Sequence, residues 1–305
     1  MWNNSFMKKY SILIAFAFFG LAANAQQDPQ FSQNMFNHHS INPGYVGSND
    51  AICATALHRS QWMGFEGAPT TMNLSVEGSV PMLSGGLGLN ILTDKIASNE
   101  FLGLDLSYAY RTSVVGGDLG IGASVGFLQD GVEGTQYNPE SAGDPTIPGD
   151  EKGSGFDFGL GLFFKSETVE IGISTTHLNQ AVITTSQDIL SLNRHYYLSA
   201  LYKYQMNDVF MLKPSLFVKN DGVTTQMDLN TMIEYNNRFW GGVSYRVDDA
   251  MIAMLGMHIN ESLKFGFAYD IPTSQIAQGS MEFMLSYCFK VDYTSVTKGF
   301  KNPKF

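Results

Sequence analysis

Residues 155–165 read GFDFGLGLFFK, and their alternation decides the fold class. Phe156, Phe158, Leu160, Leu162 and Phe164 fall on one parity; Asp157, Gly159, Gly161 and Phe163 fall on the other. Successive side chains of a strand point to opposite faces, so this segment has one broad apolar face and one that is mostly small or polar. The same reading holds for Leu102, Leu104, Leu106, Tyr108 and Tyr110 against Gly103, Asp105, Ser107 and Ala109. It recurs for Leu263, Phe265, Phe267, Tyr269 and Ile271 against Lys264, Gly266, Ala268 and Asp270. It closes the chain with Met281, Phe283, Leu285, Tyr287 and Phe289 against Glu282, Met284, Ser286 and Cys288.

A soluble sandwich also alternates, so three further features decide. The second face carries Gly, Ser, Ala and scattered charge rather than the dense Lys and Glu of a solvent face. The segments run about 10–12 residues, longer than the usual strand and near what a tilted bilayer span needs. Aromatics gather at segment ends, as at Tyr202, Tyr204, Tyr235, Phe239, Trp240 and Tyr245, which suits interfacial girdles. The fold class predicted is all-β, a transmembrane antiparallel outer-membrane β-barrel of about 14 strands. Its strands are 52–60, 70–80, 85–93, 100–111, 116–127, 154–165, 167–178, 194–205, 208–219, 224–235, 237–247, 250–259, 262–271 and 279–291. Twelve or sixteen stay open, because 250–259 alternates poorly and 52–60 is only modestly apolar. With both termini in the periplasm, the long connections 61–69, 128–153 and 179–193 fall outside and the short ones mostly inside, as such barrels require.

Composition agrees. Of 305 residues, 44% are apolar and only 15% charged, well below the roughly 25% of a soluble domain. Past residue 25 no apolar run is long enough for a membrane helix. The net charge of −10 argues against nucleic acid as a partner.

Lys8 and Lys9, the apolar stretch Ile12 to Leu21 and Ala23-Asn24-Ala25 read as a signal peptide over 1–25, cleaved after Ala25. Residues 26–51 follow without a clear period. They form either a plug, with Phe31, Phe36, Asn42, Pro43 and Tyr45 meeting the lumen wall, or a periplasmic strap. The barrel is expected over 52–291, and 292–305 form a basic periplasmic tail with Lys298, Lys301 and Lys304.

Chemical motifs are sparse. HExxH and P-loop patterns are missing, so neither an enzyme nor a cofactor is expected. Gly120, Gly122 and Gly126 alternate inside a strand and read as lumen packing. His177 and His195 flank a loop with Ser186 and Ser191. With no carboxylate or amide clearly placed to orient either ring, they read as interface histidines. Asp144, Asp150 and Glu151 read as a solvated acidic loop rather than a calcium site, so no metal is expected. Cys53 and Cys288 lie near the periplasmic ends of the first and last strands, which are neighbours in a closed barrel. Two free thiols and a seam disulfide both fit.

The segments QDPQFSQNMFN (27–37), INPGYVGS (41–48), RSQWMGFEGAPTT (59–71), YCFK (287–290) and NPKF (302–305) resemble the PorP/SprF family of type IX secretion outer-membrane proteins. The chain departs from that pattern at Asn37-His38-His39-Ser40, where the family more often carries Pro and bulky apolar residues. The resemblance implies a non-enzymatic barrel that works with other type IX components. It would help to export or retain secreted adhesins, or other cargo with type B C-terminal domains, at the cell surface, with gliding as an associated process.

Arg59, Gln61 and Trp62 leave the first strand for the outside, and Gly67-Ala68-Pro69 reads as a rigid turn presenting Trp62 and Phe65. Trp62 is either a girdle residue or a partner anchor, since aromatic and Arg residues dominate binding hot spots. Partner contact is expected from Arg59, Gln61, Trp62, Phe65, Gly67 and Pro69. The runner-up function is a passive porin-like channel; a plugged lumen favours the interaction protein and an open one the channel.

Overall fold

A computed structural model describes residues 28–132, 150–184, 189–273 and 278–290. The chain forms a closed antiparallel barrel of 14 staves. In chain order the strands are β1 (Ile52–Ser60), β2 (Thr70–Val80), β3 (Gly85–Ile96), β4 (Asn99–Val114), β5 (Gly117–Val132) and β6 (Glu151–Lys165). Then come β7 (Val169–Thr176), β8 (Val182–Thr184), β9 (Ile189–Ser191), β10 (His195–Tyr202), β11 (Tyr204–Gln205) and β12 (Phe210–Asn220). The last are β13 (Thr225–Tyr235), β14 (Phe239–Arg246), β15 (Ala250–His258), β16 (Leu263–Pro272) and β17 (Ser280–Phe289).

β10 and β11 form one stave, interrupted at Lys203, and both pair with β12. β8 and β9 stand outside the barrel sheet as a small hairpin within the loop after β7. Elsewhere each stave pairs with its neighbours in sequence, and β1 pairs with β17 to close the ring. Closure removes both sheet edges, so every interior ladder position finds a partner inside the membrane.

The predicted faces are the observed ones. Leu106, Phe156, Leu160, Leu162, Tyr269, Ile271, Phe283 and Leu285 are outward and exposed. Gly103, Ser107, Asp157, Gly161, Asp270 and Glu282 are buried inward. Some readings change. Trp240 is not a girdle residue: it points inward and is buried against Phe36, with ring centroids 4.9 Å apart. β5 also continues to Val132, so its outer loop begins later than expected. Asp144 and Ser186 lie outside the described residues, as do residues 1–25, where the signal peptide is expected, and 292–305, where the tail is expected.

The long connections 61–69 and 177–194 lie at one end, and the short turns 81–84, 166–168 and 236–238 at the other. Outer-membrane barrels put short turns in the periplasm, which orients the molecule.

The seam decides the cysteines. Cys53 pairs in register with Cys288, and the two are joined by a disulfide. The free-thiol reading is overturned, because the seam register brings both side chains to the same lumen-facing rung.

Leu160 sits mid-strand and 51% exposed on the lipid face. Leu160→Arg is expected to destabilise the barrel by about 2–4 kcal/mol, because a charge there meets hydrocarbon. Denaturant titration in lipid vesicles measures it; a cost near zero would mean that this face is not in lipid.

Candidate functional site

The lumen is occupied by the chain's own N-terminal segment. Residues 28–51 enter beside the outer ends of β7 and β10 and run inward to Ala51, where β1 starts. The strap reading is thereby overturned. Asp28, the segment's first described residue, sits at the outer end. Short 3-10 turns at Asn34–Phe36, His38–Ser40 and Pro43–Tyr45 shorten the segment enough to fit inside.

Three kinds of contact hold this plug. The first is a buried charge network at the outer end. Arg59 donates to Asp270 at 2.6 Å and to Glu282 at 3.4 Å. Arg246 donates twice to Asp228, at 3.0 and 3.1 Å, and to Asp270 at 3.3 Å. The plug inserts into this lattice. Glu282 accepts the backbone N–H groups of Ser32 (2.7 Å) and Gln33 (2.9 Å), and the Ser32 hydroxyl donates to Asp270 at 2.6 Å. Gln30 and Asn34 donate to Asp228, each at 3.3 Å. Charges taken out of water persist only when paired and fully hydrogen-bonded, and here the plug supplies part of the pairing.

The second contact is apolar. Phe31 and Met35, with Phe36 at the edge, pack on Leu57, Leu201, Met232, Trp240, Ile252 and Met284 from the wall. This is a true interior core inside a barrel.

The third is close backbone approach. Pro43-Gly44 lies directly on β5 and β6, where a Cβ at Gly122 or Gly161 would overlap the plug's own atoms. A Cβ on Gly44 itself would stand 2.8 Å from the Gly161 carbonyl oxygen. Asn42 donates to the Leu162 carbonyl at 3.0 Å and accepts from Gly44 N at 2.9 Å. Tyr45 meets Phe163 edge-on at 5.0 Å. Near the periplasmic end, Glu77 accepts from Gly47 N at 2.7 Å and Asn49 at 3.0 Å.

The five expected plug residues, Phe31, Phe36, Asn42, Pro43 and Tyr45, therefore all meet the wall. His38 and His39 join them, both buried. The departure at 37–40 from the family pattern thus falls on plug residues packed in the lumen. Below the plug a vestibule of about 640 Å³ opens toward the short-turn end, lined by Lys165, Lys203, Lys213, Lys264 and Lys290 among others.

The expected partner residues separate into two groups. Arg59 is a correction: it is 2% exposed and points into the lumen, because it is the last inward position of β1 before the strand ends at Ser60. The others lie on the outer loop. Trp62 is 45% and Phe65 66% exposed. The loop is fixed by its backbone: Gln61 N donates to Pro69 O at 3.0 Å, Met63 N to Gly279 O at 2.9 Å, and Ala97 N to Gly67 O at 3.0 Å. Gly67 has φ +75°, a left-handed conformation that glycine adopts without strain.

The histidines also need correction. His177 and His195 are buried on the lumen side, not at the interface, and Asp28 and Asp157 lie against them. Asp28 comes from the plug and Asp157 from β6, so no local spacing signals either contact.

The family model "Type IX secretion system membrane protein PorP/SprF" matches residues 23–287. A comparison with curated proteins finds no match. Among solved structures, the Ralstonia pickettii toluene transporter TbuX is similar at 12% identity and a TM-score of 0.49, covering 82% of this chain and 92% of that one. The Pseudomonas putida toluene transporter TodX is similar at 10% identity and a TM-score of 0.48, covering 88% and 95%. A mutant Rh. blastica porin aligns at 10% identity and a TM-score of 0.36, covering 78% and 99%. With its closed barrel and a family match across most of its length, this chain belongs to the PorP/SprF family and is an outer-membrane protein of the type IX secretion system.

Proposed function

We propose that this barrel is a non-enzymatic holder of secreted cargo at the cell surface. The cargo would be adhesins or other proteins carrying type B C-terminal domains. It would work beside other type IX components, including in gliding. Residues 1–25 would serve as the signal peptide, cleaved after Ala25. The observation that supports this reading is the filled lumen: residues 28–51 close the barrel toward its outer mouth. What such a barrel then offers a partner outside is its loop surface. The 61–69 loop suits that role, with Trp62 and Phe65 exposed on a backbone pinned to two neighbouring loops. Rigid aromatic anchors lose little entropy on binding.

Trp62→Ala is expected to release cargo from the surface, with affinity lowered at least about 30-fold, while barrel abundance stays unchanged. Surface labelling of cargo, with immunoblotting of the barrel, measures both. If barrel and cargo fall together, Trp62 has a folding role only. The purified intact barrel is expected to show no steady conductance in planar bilayers; an open pore in the intact protein would favour the passive channel.

A further inference from the structure

Asp28, His177 and His195 meet at the outer end of the lumen, although they are far apart in the chain. Each offers one ligand atom, and these atoms all lie within 4.8 Å of one another. Asp28 Oδ1 is 2.8 Å from His177 Nε2, and Asp28 Oδ2 is 3.9 Å from His195 Nδ1. Two imidazoles and a carboxylate are a donor set for first-row divalent metals, with further positions left for water.

The surroundings orient these donors. His177 Nδ1 stands 3.0 Å from Asp157 Oδ2, a carboxylate behind the imidazole. His195 Nδ1 donates to the Asn193 carbonyl at 2.9 Å, so Nε2, which accepts the long 3.4 Å hydrogen bond of Asp28 N, is the nitrogen that would take the metal by giving up that bond. Asp28 Oδ2 accepts from Tyr197 Oη at 2.5 Å and Thr176 Oγ1 at 3.3 Å. Outer-shell contacts of this kind fix ring orientation and ligand basicity in metal sites.

A second observation points the same way. A cavity of about 60 Å³ adjoins the cluster, lined by Asp28, Asp157, His177 and Asp105 among others. It has room for a water. Asp157 is buried, and among the described residues its Oδ1 has no hydrogen-bond partner. An orphaned carboxylate oxygen beside a polar cavity is costly unless a cation or water meets it.

We propose that Asp28, His177 and His195 bind one divalent transition-metal ion of the zinc class, clamping the outer end of the plug to the barrel wall. Zinc bonds to nitrogen and oxygen run about 2.0–2.2 Å, so its donors sit roughly 3–3.5 Å apart. A separation as wide as 4.8 Å must therefore contract by about 1.3–1.8 Å. A turn of the His195 ring and a small shift of Asp28 can supply that, since Asp28 lies on the plug and not in the sheet.

The test uses the full mature barrel, folded in detergent, stripped with chelator and carrying no polyhistidine tag. Zinc is titrated calorimetrically, and Co²⁺ replaces it for the visible spectrum. One equivalent per chain and tetrahedral Co²⁺ absorption are expected. Asp28→Asn and His195→Gln should each abolish stoichiometric binding, and Asp157→Asn should weaken it by about 10–100-fold. Asp28→Asn leaves the wall untouched, so it carries the test if a histidine variant fails to fold; heat-modifiable gel migration reports folding. No saturable zinc binding by the folded barrel would overturn the site and leave His177 as an ion-pair partner of Asp28. Binding that Asp28→Asn and His195→Gln leave unchanged would overturn it equally.

Discussion

Arg59→Ala is expected to cost about 3–5 kcal/mol and to free the outer half of the plug. Arg59 is the cation between Asp270 and Glu282, and its Nη1 also donates to the Ser32 hydroxyl at 2.8 Å. Truncation leaves Glu282 buried with only the Ser32 and Gln33 backbone donors and the Gln33 side chain around it. Asp270 keeps Arg246 at 3.3 Å, so the loss falls mainly on Glu282. A half-satisfied buried network is worse than none, and water entering to solvate Glu282 must displace Ser32 and Gln33. Denaturant titration of the barrel in lipid gives the stability. Limited proteolysis from the outer side, read at residues 28–36, gives the plug. The double change Arg59→Met with Glu282→Gln is expected to recover part of the loss, because it removes both members of a costly pair. If Arg59→Ala stayed within 1 kcal/mol of the parent and its plug resisted protease, the network would not be what holds the segment in place.

The same network explains what the sequence could and could not reveal. Period-two alternation located the staves because lipid imposes one rule on the whole outer face, and that rule is local. About fourteen staves and their faces follow from it, and the connection lengths add the short-turn end. The inner face obeys no local rule, since its requirements come from a segment tens to hundreds of residues away. β15 alternates poorly because Ile252 and Met254 face the plug core, so both faces of that strand are apolar. Trp240 looks like a girdle residue for the same reason. Gly120, Gly122 and Gly161 read only as small lumen positions; that Asn42, Pro43 and Gly44 press on them is a tertiary fact. Arg59 was misplaced by a single position of strand end. His177 and His195 lacked visible partners because Asp28 and Asp157 arrive from elsewhere in the chain. The loop 61–69 was legible in outline, since Gly67 and Pro69 announce a turn, but its anchoring to Gly279 and Ala97 was not.

Removing the Cys53–Cys288 bridge is expected to lower stability by several kcal/mol, up to about 5 kcal/mol on the chain-entropy account. The two cysteines are 235 residues apart, so the bridge closes almost the whole barrel into one loop. Closure entropy grows with the logarithm of loop length, which makes this bridge worth more than a local one. The seam it reinforces is also the most non-local pairing in the sheet, with Ile52 opposite Phe289 and Ser60 opposite Met281. Every other stave joins one that follows it closely in sequence, so seam formation carries the largest entropic cost of closure. A covalent tie at the periplasmic end of that seam holds the two strands in register, and the periplasm is oxidising enough to form it. Cys53→Ala with Cys288→Ala is therefore expected to unfold at lower denaturant than the parent and to refold with slower seam closure. Reductant should shift the parent to the variant's midpoint and leave the variant unmoved. Alanine fits the rung without a new polar group, so the comparison isolates the tie itself. The parent, denatured without reductant, should show no thiol reactive to a maleimide. Two reactive thiols there, or equal midpoints for parent and variant, would show that the seam is held by its hydrogen bonds and side-chain pairs alone.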